Sequence, residues 1–341
     1  IKLRGGSPAH RVITAGIAAS LQDLRRFHSW WFFGLTGVIL FNLVGTALFP
    51  GTAITDIGVR GLYTQKNVAG LVAMITVICG ATWMLGARGA RPILLALMLL
   101  APTLLFLVLT RSKTSIGLTG LAVVIIAGMA LAERLGPRFI LLVIGLGLAG
   151  MAALLGLFAA HDFDVDLFLT ATMGDSSFTG RDELWAFALR AAQERFWFGH
   201  GYGAFWDVGL AADPLNRLEP GTWLGDVEIG TINQAHNGYL ELWLHVGLPA
   251  TIVATLIVIA RAISGVAQSV SPALTVPARA AIGFMTMFLL VYLFHNLTEA
   301  SLFMRGAILS NVAVLFLFIL SRSRWLGRLE TQGRGMAAAS G

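Results

Sequence analysis

The stretch PILLALMLLAPTLLFLVL, Pro92 to Leu109, contains no charged residue and only one hydroxyl side chain, Thr103. A helix needs about 17 to 25 mainly apolar residues to cross the hydrocarbon core of a bilayer. This stretch is long enough to do so, and it predicts a transmembrane helix.

Seven other segments have a similar length and apolar character. They are Trp31–Phe49, Ala69–Gly86, Ser115–Ala132, Phe139–Ala160, Tyr239–Ala260, Arg279–Phe294 and Leu302–Leu320. Hydrophobic residues make up 56% of the chain and charged residues 12%, whereas about a quarter of residues are charged in soluble domains. The sequence therefore predicts an all-α integral membrane protein, a helical bundle of about eight spans. Val12–Leu21 is too short to span and predicts an interfacial helix, and the start at Ile1 leaves room for spans before it.

The positions of the basic residues predict the orientation of the spans. Short cytoplasmic loops retain Lys and Arg, and 15 of the 24 Lys and Arg residues fall in loops and termini on one side. The long interval between the fifth and sixth spans holds 12 acidic residues and four basic ones. We therefore expect both termini in the cytoplasm and this interval outside. The net charge of +6 follows from this bias and requires no nucleic-acid partner.

The same pattern divides the chain into four predicted regions. Residues 1–160 form N-terminal membrane helices, 161–235 a large external loop with amphipathic helices, 236–325 C-terminal membrane helices, and 326–341 a disordered cytoplasmic tail. A loop of about 75 residues is too long for a plain connection, so it is expected to carry structure or function. The single cysteine, Cys79, falls in a predicted span, which excludes a disulfide framework and a thiolate metal site.

The loop contains FTGRDELWAFALRAAQERFWFGHGYGAFW, which has the signals of one helix. Thr179 can cap its start, acidic residues follow in the first turn, and three glycines end the pattern. GHGYG does not predict a dinucleotide site, because an amphipathic helix rather than a strand precedes it; a turn that re-enters the membrane fits better. Arg181 can be an interfacial arginine or an anion clamp, since guanidinium binds phosphate oxygens through paired hydrogen bonds.

Two shorter outside loops carry basic residues against the charge rule. GLYTQKNVAG holds Lys66, and TRSKTS holds Arg111 and Lys113. Each alone is typical of an interfacial anchor. Together with Arg181, these residues predict an outward-facing pocket for a multiply charged anion.

The stretch AHNGYLELWLHVG, Ala235 to Gly247, places ionisable residues on a predicted membrane helix that begins at His236. Glu241 and His245 lie one turn apart and are expected to pair. His236 lies at the outer end of the span, where a neutral imidazole can accept a proton from a hydroxyl group. The alternative is a hydrogen-bonded interfacial histidine.

These motifs, in this order, closely resemble the O-antigen ligase and polymerase family of bacterial envelope glycosyltransferases. The resemblance rests on GLYTQKNVAG, FTGRDELW, FGHGYGAFW, AHNGYLELWLHVG and HNLTEASLF, and it extends from about Gly61 to Glu299. It implies a multi-helix, C-type glycosyltransferase of the bacterial inner membrane with its active site facing the periplasm. The implied reaction inverts the anomeric carbon and needs no metal ion and no cofactor.

The resemblance also assigns partners and residue roles. The donor is an undecaprenyl-diphosphate-linked oligosaccharide, the acceptor is a glycan or lipid A-core, and a flippase and a chain-length regulator are further candidate partners beside the membrane lipids. His236 matches the family's essential histidine, the proposed base. Arg181 matches the arginine proposed to bind the donor diphosphate, and Arg111 resembles the other outward arginine. The remaining candidates are Lys66 and Lys113 for the diphosphate, and Asn237, Tyr239, Glu241 and Glu299 as supporting residues.

Three functions remain to be compared. A ligase of this family is expected to carry Gly, Thr or Tyr where this chain has Ala250, whereas GLYTQKNVAG and LTRSKTSIG look more like the exopolysaccharide polymerase branch. A transporter or flippase for lipid-linked sugars usually shows internal repeats and ionisable residues near the midplane. No repeat is visible, and the polar residues gather on one predicted face. Polymerisation of repeat units is therefore the favoured prediction, with ligation as its alternative.

Overall fold

The computed structural model describes residues 23–135, 181–206, 208–218 and 220–322. Its helices are α1 (Leu24–Leu48), α2 (Pro50–Ala53), α3 (Lys66–Gly86), α4 (Ala90–Leu109), α5 (Lys113–Leu135), α6 (Arg181–Glu194), α7 (Gly238–Val246), α8 (Leu248–Ser269), α9 (Val276–His295) and α10 (Ile308–Arg322). A short 3-10 helix covers Pro214–Arg217. Strands β1 (Ile54–Thr55) and β2 (Gly58–Val59) pair antiparallel, with Ile54 opposite Val59 and Thr55 opposite Gly58.

The predicted fold class, an all-α integral membrane protein, is confirmed. Within the described residues, α1, α3, α4, α8 and α9 are long and apolar enough to cross a membrane. The apolar part of α5, Lys113–Gly128, and α10 are shorter. The predicted span Phe139–Ala160, the interfacial helix Val12–Leu21, the cap Thr179 and the tail 326–341 lie outside the described residues.

Two predicted span boundaries are wrong. Tyr239–Ala260 was expected to be one helix, but Gly247, at φ +83°, separates α7 from α8. This left-handed conformation is open to glycine at little cost, and Pro249 then favours a new helix start. The last predicted span, Leu302–Leu320, begins only at Ile308, because 301–307 is irregular.

The described residues fall into two compact units. The first contains Val253–His295 and the described parts of Ile1–Val124 and Phe303–Gly341, and the second contains Asn296–Leu302 and the described parts of Ile125–Ile252. In the first unit, α3 and α9 are central. The buried share of their most apolar 18-residue stretch is 61% and 67%, whereas it is 22% to 28% in α1, α4 and α8. The exposed apolar faces of these outer helices suit contact with lipid.

The core of the second unit forms around α6. Leu184, Ala188 and Ala192 are at most 1% exposed, and they lie on the face that the helical spacing predicted to be apolar. The small side chains of Ala188 and Ala192 let α7 pack closely on α6, with Leu244 buried in the same cluster. The ring of Trp206 completes this core, which fixes both ends of α7 and therefore the segment that contains His236.

Candidate functional site

His236 lies just before α7 rather than on it. The helix begins at Gly238, and Asn237 is its N-cap, whose side chain accepts hydrogen bonds from the N–H groups of Tyr239 and Leu240 at 3.1 Å each. The prediction that the helix begins at His236 is therefore wrong, because an Asn cap adopts an extended conformation and leaves the preceding residue outside. His236 adopts the left-handed conformation, with φ +50°.

A left-handed conformation is costly for a residue with a side chain. It raises the free energy by roughly 1–2 kcal/mol, and residues held in this way concentrate at functional sites. Only three non-glycine residues in the described chain have positive φ, and two of them are the predicted site residues His236 and Arg111. The third is Phe303. The surrounding structure must therefore hold His236 in place.

The first constraint on His236 comes from the carboxylate of Glu299. Its Oε2 atom lies 3.6 Å from His236 Nδ1. The Glu299 side chain is 18% exposed and the His236 side chain is 36% exposed. A carboxylate at Nδ1 orients the imidazole ring. His236 Nε2 makes no hydrogen bond within the described part of the chain, so it is available to a substrate hydroxyl.

The segment that carries Glu299 is fixed by Asn296, which is fully buried. Its backbone oxygen accepts the Gly238 N–H at 2.8 Å, and its side-chain oxygen accepts the Ser301 N–H at 2.8 Å and the Ser301 hydroxyl at 3.2 Å. Gly238 fits here because a Cβ atom would collide with the Asn296 side-chain oxygen. Sequence reasoning missed Asn296 and Ser301, although both belong to the motif HNLTEASLF that carried the resemblance.

The second constraint holds the peptide immediately before His236. Glu241, 1% exposed, accepts the Ala235 N–H at 2.7 Å and the Trp206 indole N–H at 3.1 Å through Oε2. The indole N–H of Trp185 donates to the Ala235 carbonyl at 2.9 Å. Both backbone polar groups of Ala235 are therefore bonded to side chains, one from α7 and one from α6.

The predicted pair of Glu241 and His245 is present, with Oε1 and Nε2 3.2 Å apart. The His245 Nδ1 atom accepts the Gly203 N–H at 3.4 Å, so Nε2 carries the proton that points to the carboxylate. Because Glu241 is buried and accepts two hydrogen bonds, it is a positioning residue rather than a group that meets substrate.

The glycine-rich turn that follows α6 packs on the end of α7. The N–H groups of His200 and Gly201 donate to the carbonyls of Leu244 and His245 at 2.7 and 3.1 Å. These carbonyls belong to the last turn of α7 and would otherwise lack partners. GHGYG therefore has a structural role that was not predicted; re-entry into a membrane stays a prediction.

Two other predicted residues lie near His236. Asn237 acts as the cap of α7, and its amide also donates to the Leu297 carbonyl at 3.4 Å. Burial raises the pKa of the half-buried Tyr239 phenol, so the hydroxyl stays neutral and can donate or accept a hydrogen bond. The contacts of Asn237 support the N-terminal end of α7.

Arg181 is the first residue of α6, one turn before Trp185. Trp185 in turn binds the Ala235 carbonyl, next to His236. The second unit thus connects the predicted donor arginine and the predicted base through one helical turn and one hydrogen bond. The N-terminus of α6 also favours an anion, since the positive end of the helix dipole lies there.

Lys66 and Arg111 meet at the β1–β2 turn of the first unit. Lys66 Nζ donates to the Ile57 carbonyl at 2.9 Å, and the Arg111 guanidinium lies 3.5 Å from the Asp56 carbonyl oxygen. Lys113 is exposed at the first residue of α5. A single pocket that contains all of Lys66, Arg111, Lys113 and Arg181 stays a prediction. Among the described residues, no group of three or more His, Cys, Asp or Glu side chains could hold a metal ion.

Comparison with known proteins gives two findings. Residues 93–255 match the family model described as O-Antigen ligase. The chain is also 27% identical over 260 residues to the "Exopolysaccharide production protein ExoQ" of Rhizobium meliloti (strain 1021). That alignment covers 73% of this chain and 56% of the relative, so the chain matches about half the length of that curated protein.

Proposed function

We propose that this chain is a glycosyltransferase that acts on a lipid-linked glycan. The two matches support an O-antigen ligase/polymerase-like family, which the motifs also predicted. The donor is an undecaprenyl-diphosphate-linked oligosaccharide, and the acceptor is a sugar hydroxyl at the periplasmic face of the bacterial inner membrane. The observation that carries this proposal is the geometry of His236, which is held in a left-handed conformation with Glu299 at Nδ1.

His236 serves as the general base. Its Nε2 atom takes the proton of the acceptor hydroxyl while that oxygen forms a bond to the anomeric carbon of the donor sugar. The bond from the anomeric carbon to the diphosphate oxygen breaks, and undecaprenyl diphosphate leaves with the electron pair. A single displacement of this kind inverts the anomeric centre. Glu299 stabilises the imidazolium that forms, because its carboxylate lies beside Nδ1.

The leaving diphosphate gains negative charge as the bond breaks, and basic groups stabilise that charge. Arg181, at the N-terminus of α6, is the proposed contact in the second unit. Arg111, Lys66 and Lys113 are the proposed contacts in the first unit. Cationic side chains can do this work without a metal ion or a cofactor.

Polymerisation of repeat units is the favoured reaction. The relative is an exopolysaccharide production protein, and Ala250 stands where a ligase is expected to carry Gly, Thr or Tyr. Transfer of the finished glycan to lipid A-core is the alternative. A flippase that delivers the donor and a regulator of chain length are the proposed protein partners.

The test is glycan transfer by the purified full chain, supplied with an undecaprenyl-diphosphate-linked repeat unit in EDTA, with and without lipid A-core. A ladder of repeats without lipid A-core is the expected result, and a single product that requires lipid A-core would establish a ligase. The matched control is His236→Ala, which we expect to insert and fold normally but to transfer nothing. Failure of the wild-type chain to transfer in either reaction would contradict the proposal and favour a carrier of lipid-linked sugars.

A further inference from the structure

Three aromatic side chains are exposed in succession after α6. Phe196, Trp197 and Phe198, here called the aromatic turn, are 37%, 66% and 86% exposed. Arg195 immediately before them is exposed as well, and its side chain has no hydrogen bond or ion pair within the described residues. Each aromatic side chain can bury about 150–250 Å² of surface, so such a run is unfavourable in water.

The backbone of the aromatic turn is fixed where a membrane span begins. The Leu248 N–H donates to the Phe196 carbonyl at 2.9 Å. The Trp197 carbonyl passes so close to Gly247 that a Cβ atom there would collide with it. Leu248 is the first residue of α8, one of the helices long and apolar enough to cross a membrane. The aromatic turn therefore lies at the level of the first turn of this span.

We propose that the aromatic turn inserts into the interfacial region of the lipid bilayer at the Leu248 end of α8. The end of a span lies at the boundary between hydrocarbon and water, where aromatic side chains are enriched. Phe198, the most exposed of the three, enters the acyl region. The indole of Trp197 lies at the headgroup level, and the guanidinium of Arg195 contacts lipid phosphate.

The structure favours lipid over a protein partner for this surface. The turn is hydrogen-bonded to the residue that starts a span, so any bilayer crossed by α8 comes into reach of the aromatic rings. A protein partner at the same position would have to displace lipid from them. The flanking cation also matches the negative phosphates of phospholipids.

Contact between the aromatic turn and the bilayer also sets the height of His236 above the membrane. The catalytic meaning of that height rests on the proposed function, whereas insertion of the turn does not. The aromatic turn continues into His200 and Gly201, which bind the last turn of α7. His236 lies just before the other end of α7, which has nine residues and is therefore about 14 Å long. Insertion of the turn would hold His236 at a fixed height of no more than about 14 Å above the membrane surface. At that height the base is within reach of a sugar linked to a lipid diphosphate.

The test measures the depth of Phe198 in phospholipid vesicles. A nitroxide is attached to Phe198→Cys in the full chain, with Ala211→Cys, an exposed loop position, as the matched control. Cys79 is fully buried, and unsubstituted protein checks that it takes up no label. We expect the ratio of accessibility to oxygen over accessibility to a water-soluble nickel complex to be severalfold higher at 198 than at 211. Equal ratios would overturn the proposal.

A second measurement avoids the cysteine substitution. The protein has nine tryptophans, so the contribution of Trp197 is obtained by comparing unsubstituted protein with Trp197→Phe. The matched control is Trp223→Phe, which removes another tryptophan that is 48% exposed. Brominated phospholipids should quench a smaller fraction of the total fluorescence in Trp197→Phe than in unsubstituted protein. Trp223→Phe should change this quenched fraction less. An equal change would contradict insertion of the turn. Neither measurement needs glycan transfer, so its outcome is independent of the proposed function.

Discussion

Replacement of Glu241 tests whether the segment before His236 depends on one buried carboxylate. Glu241→Ala removes the acceptor of the Ala235 N–H, at 2.7 Å, and of the Trp206 indole N–H, at 3.1 Å. A buried donor left without a partner costs about 1–3 kcal/mol. We therefore expect the free energy of unfolding to fall by about 2–6 kcal/mol, a large part of the roughly 5–15 kcal/mol typical of folded proteins.

Glu241→Gln is the matched control because it keeps the shape of the side chain. Its amide oxygen can replace Oε2 and retain both hydrogen bonds. Its amide nitrogen then faces His245 Nε2, which lies 3.2 Å from Oε1 and carries the proton. The amide nitrogen and His245 Nε2 are both donors and cannot hydrogen-bond to each other. We therefore expect the free energy of unfolding to fall by only about 1 kcal/mol.

The assay combines thermal unfolding of the purified protein, followed by near-UV circular dichroism in detergent, with the rate of glycan transfer. We expect Glu241→Ala to unfold at a lower temperature and to lose transfer, because the His236 segment is released. Glu241→Gln should retain most of both properties. The positioning role is refuted if Glu241→Ala unfolds at the wild-type temperature. It is also refuted if Glu241→Gln is folded but as inactive as His236→Ala, since the carboxylate would then take part in the chemistry.

Three further substitutions test the site. His236→Gly relieves the left-handed conformation, so we expect unchanged or slightly higher stability, by up to about 1 kcal/mol, together with loss of transfer; a lower unfolding temperature would show that His236 is not strained. Glu299→Gln keeps the contact but removes the charge beside Nδ1, so the transfer rate should fall by about tenfold or more at unchanged donor KM; a normal rate would exclude stabilisation of the imidazolium by this charge. Arg181→Lys should lose much of the activity with a raised donor KM, since one ammonium cannot replace a paired guanidinium contact; normal transfer would exclude a role in diphosphate binding.

The long apolar helices could be predicted because their signal is local and repeated. Pro92–Leu109 lies within α4, and Ala69–Gly86 lies within α3. The helix α6 was also predictable from its apolar face, but it ends at Glu194, before the three glycines that were predicted to stop it. The pairing of Glu241 with His245 followed from their separation by one helical turn.

The features that local patterns could not show depend on close approach between distant parts of the chain. Gly247 lies in a mainly apolar run, and its function as a break becomes visible only where the Trp197 backbone crosses it. Glu299 follows His236 by 63 residues, and the burial of Asn296 brings the two together. Periodicity carries no information about such contacts.

The position of His236 is fixed by three elements that meet around one peptide. Helix α7 supplies Glu241 to the Ala235 N–H, α6 supplies Trp185 to the Ala235 carbonyl, and the segment 296–301 supplies Glu299 to the imidazole. A base must hold its nitrogen toward the substrate through each turnover, and an unsupported left-handed residue would relax by rotating its backbone. Since Glu241 and Trp185 bind the peptide rather than the imidazole, they restrain the backbone while leaving Nε2 accessible. Rigidity before His236 and an open nitrogen on its ring are therefore compatible, which is the combination that general-base catalysis requires.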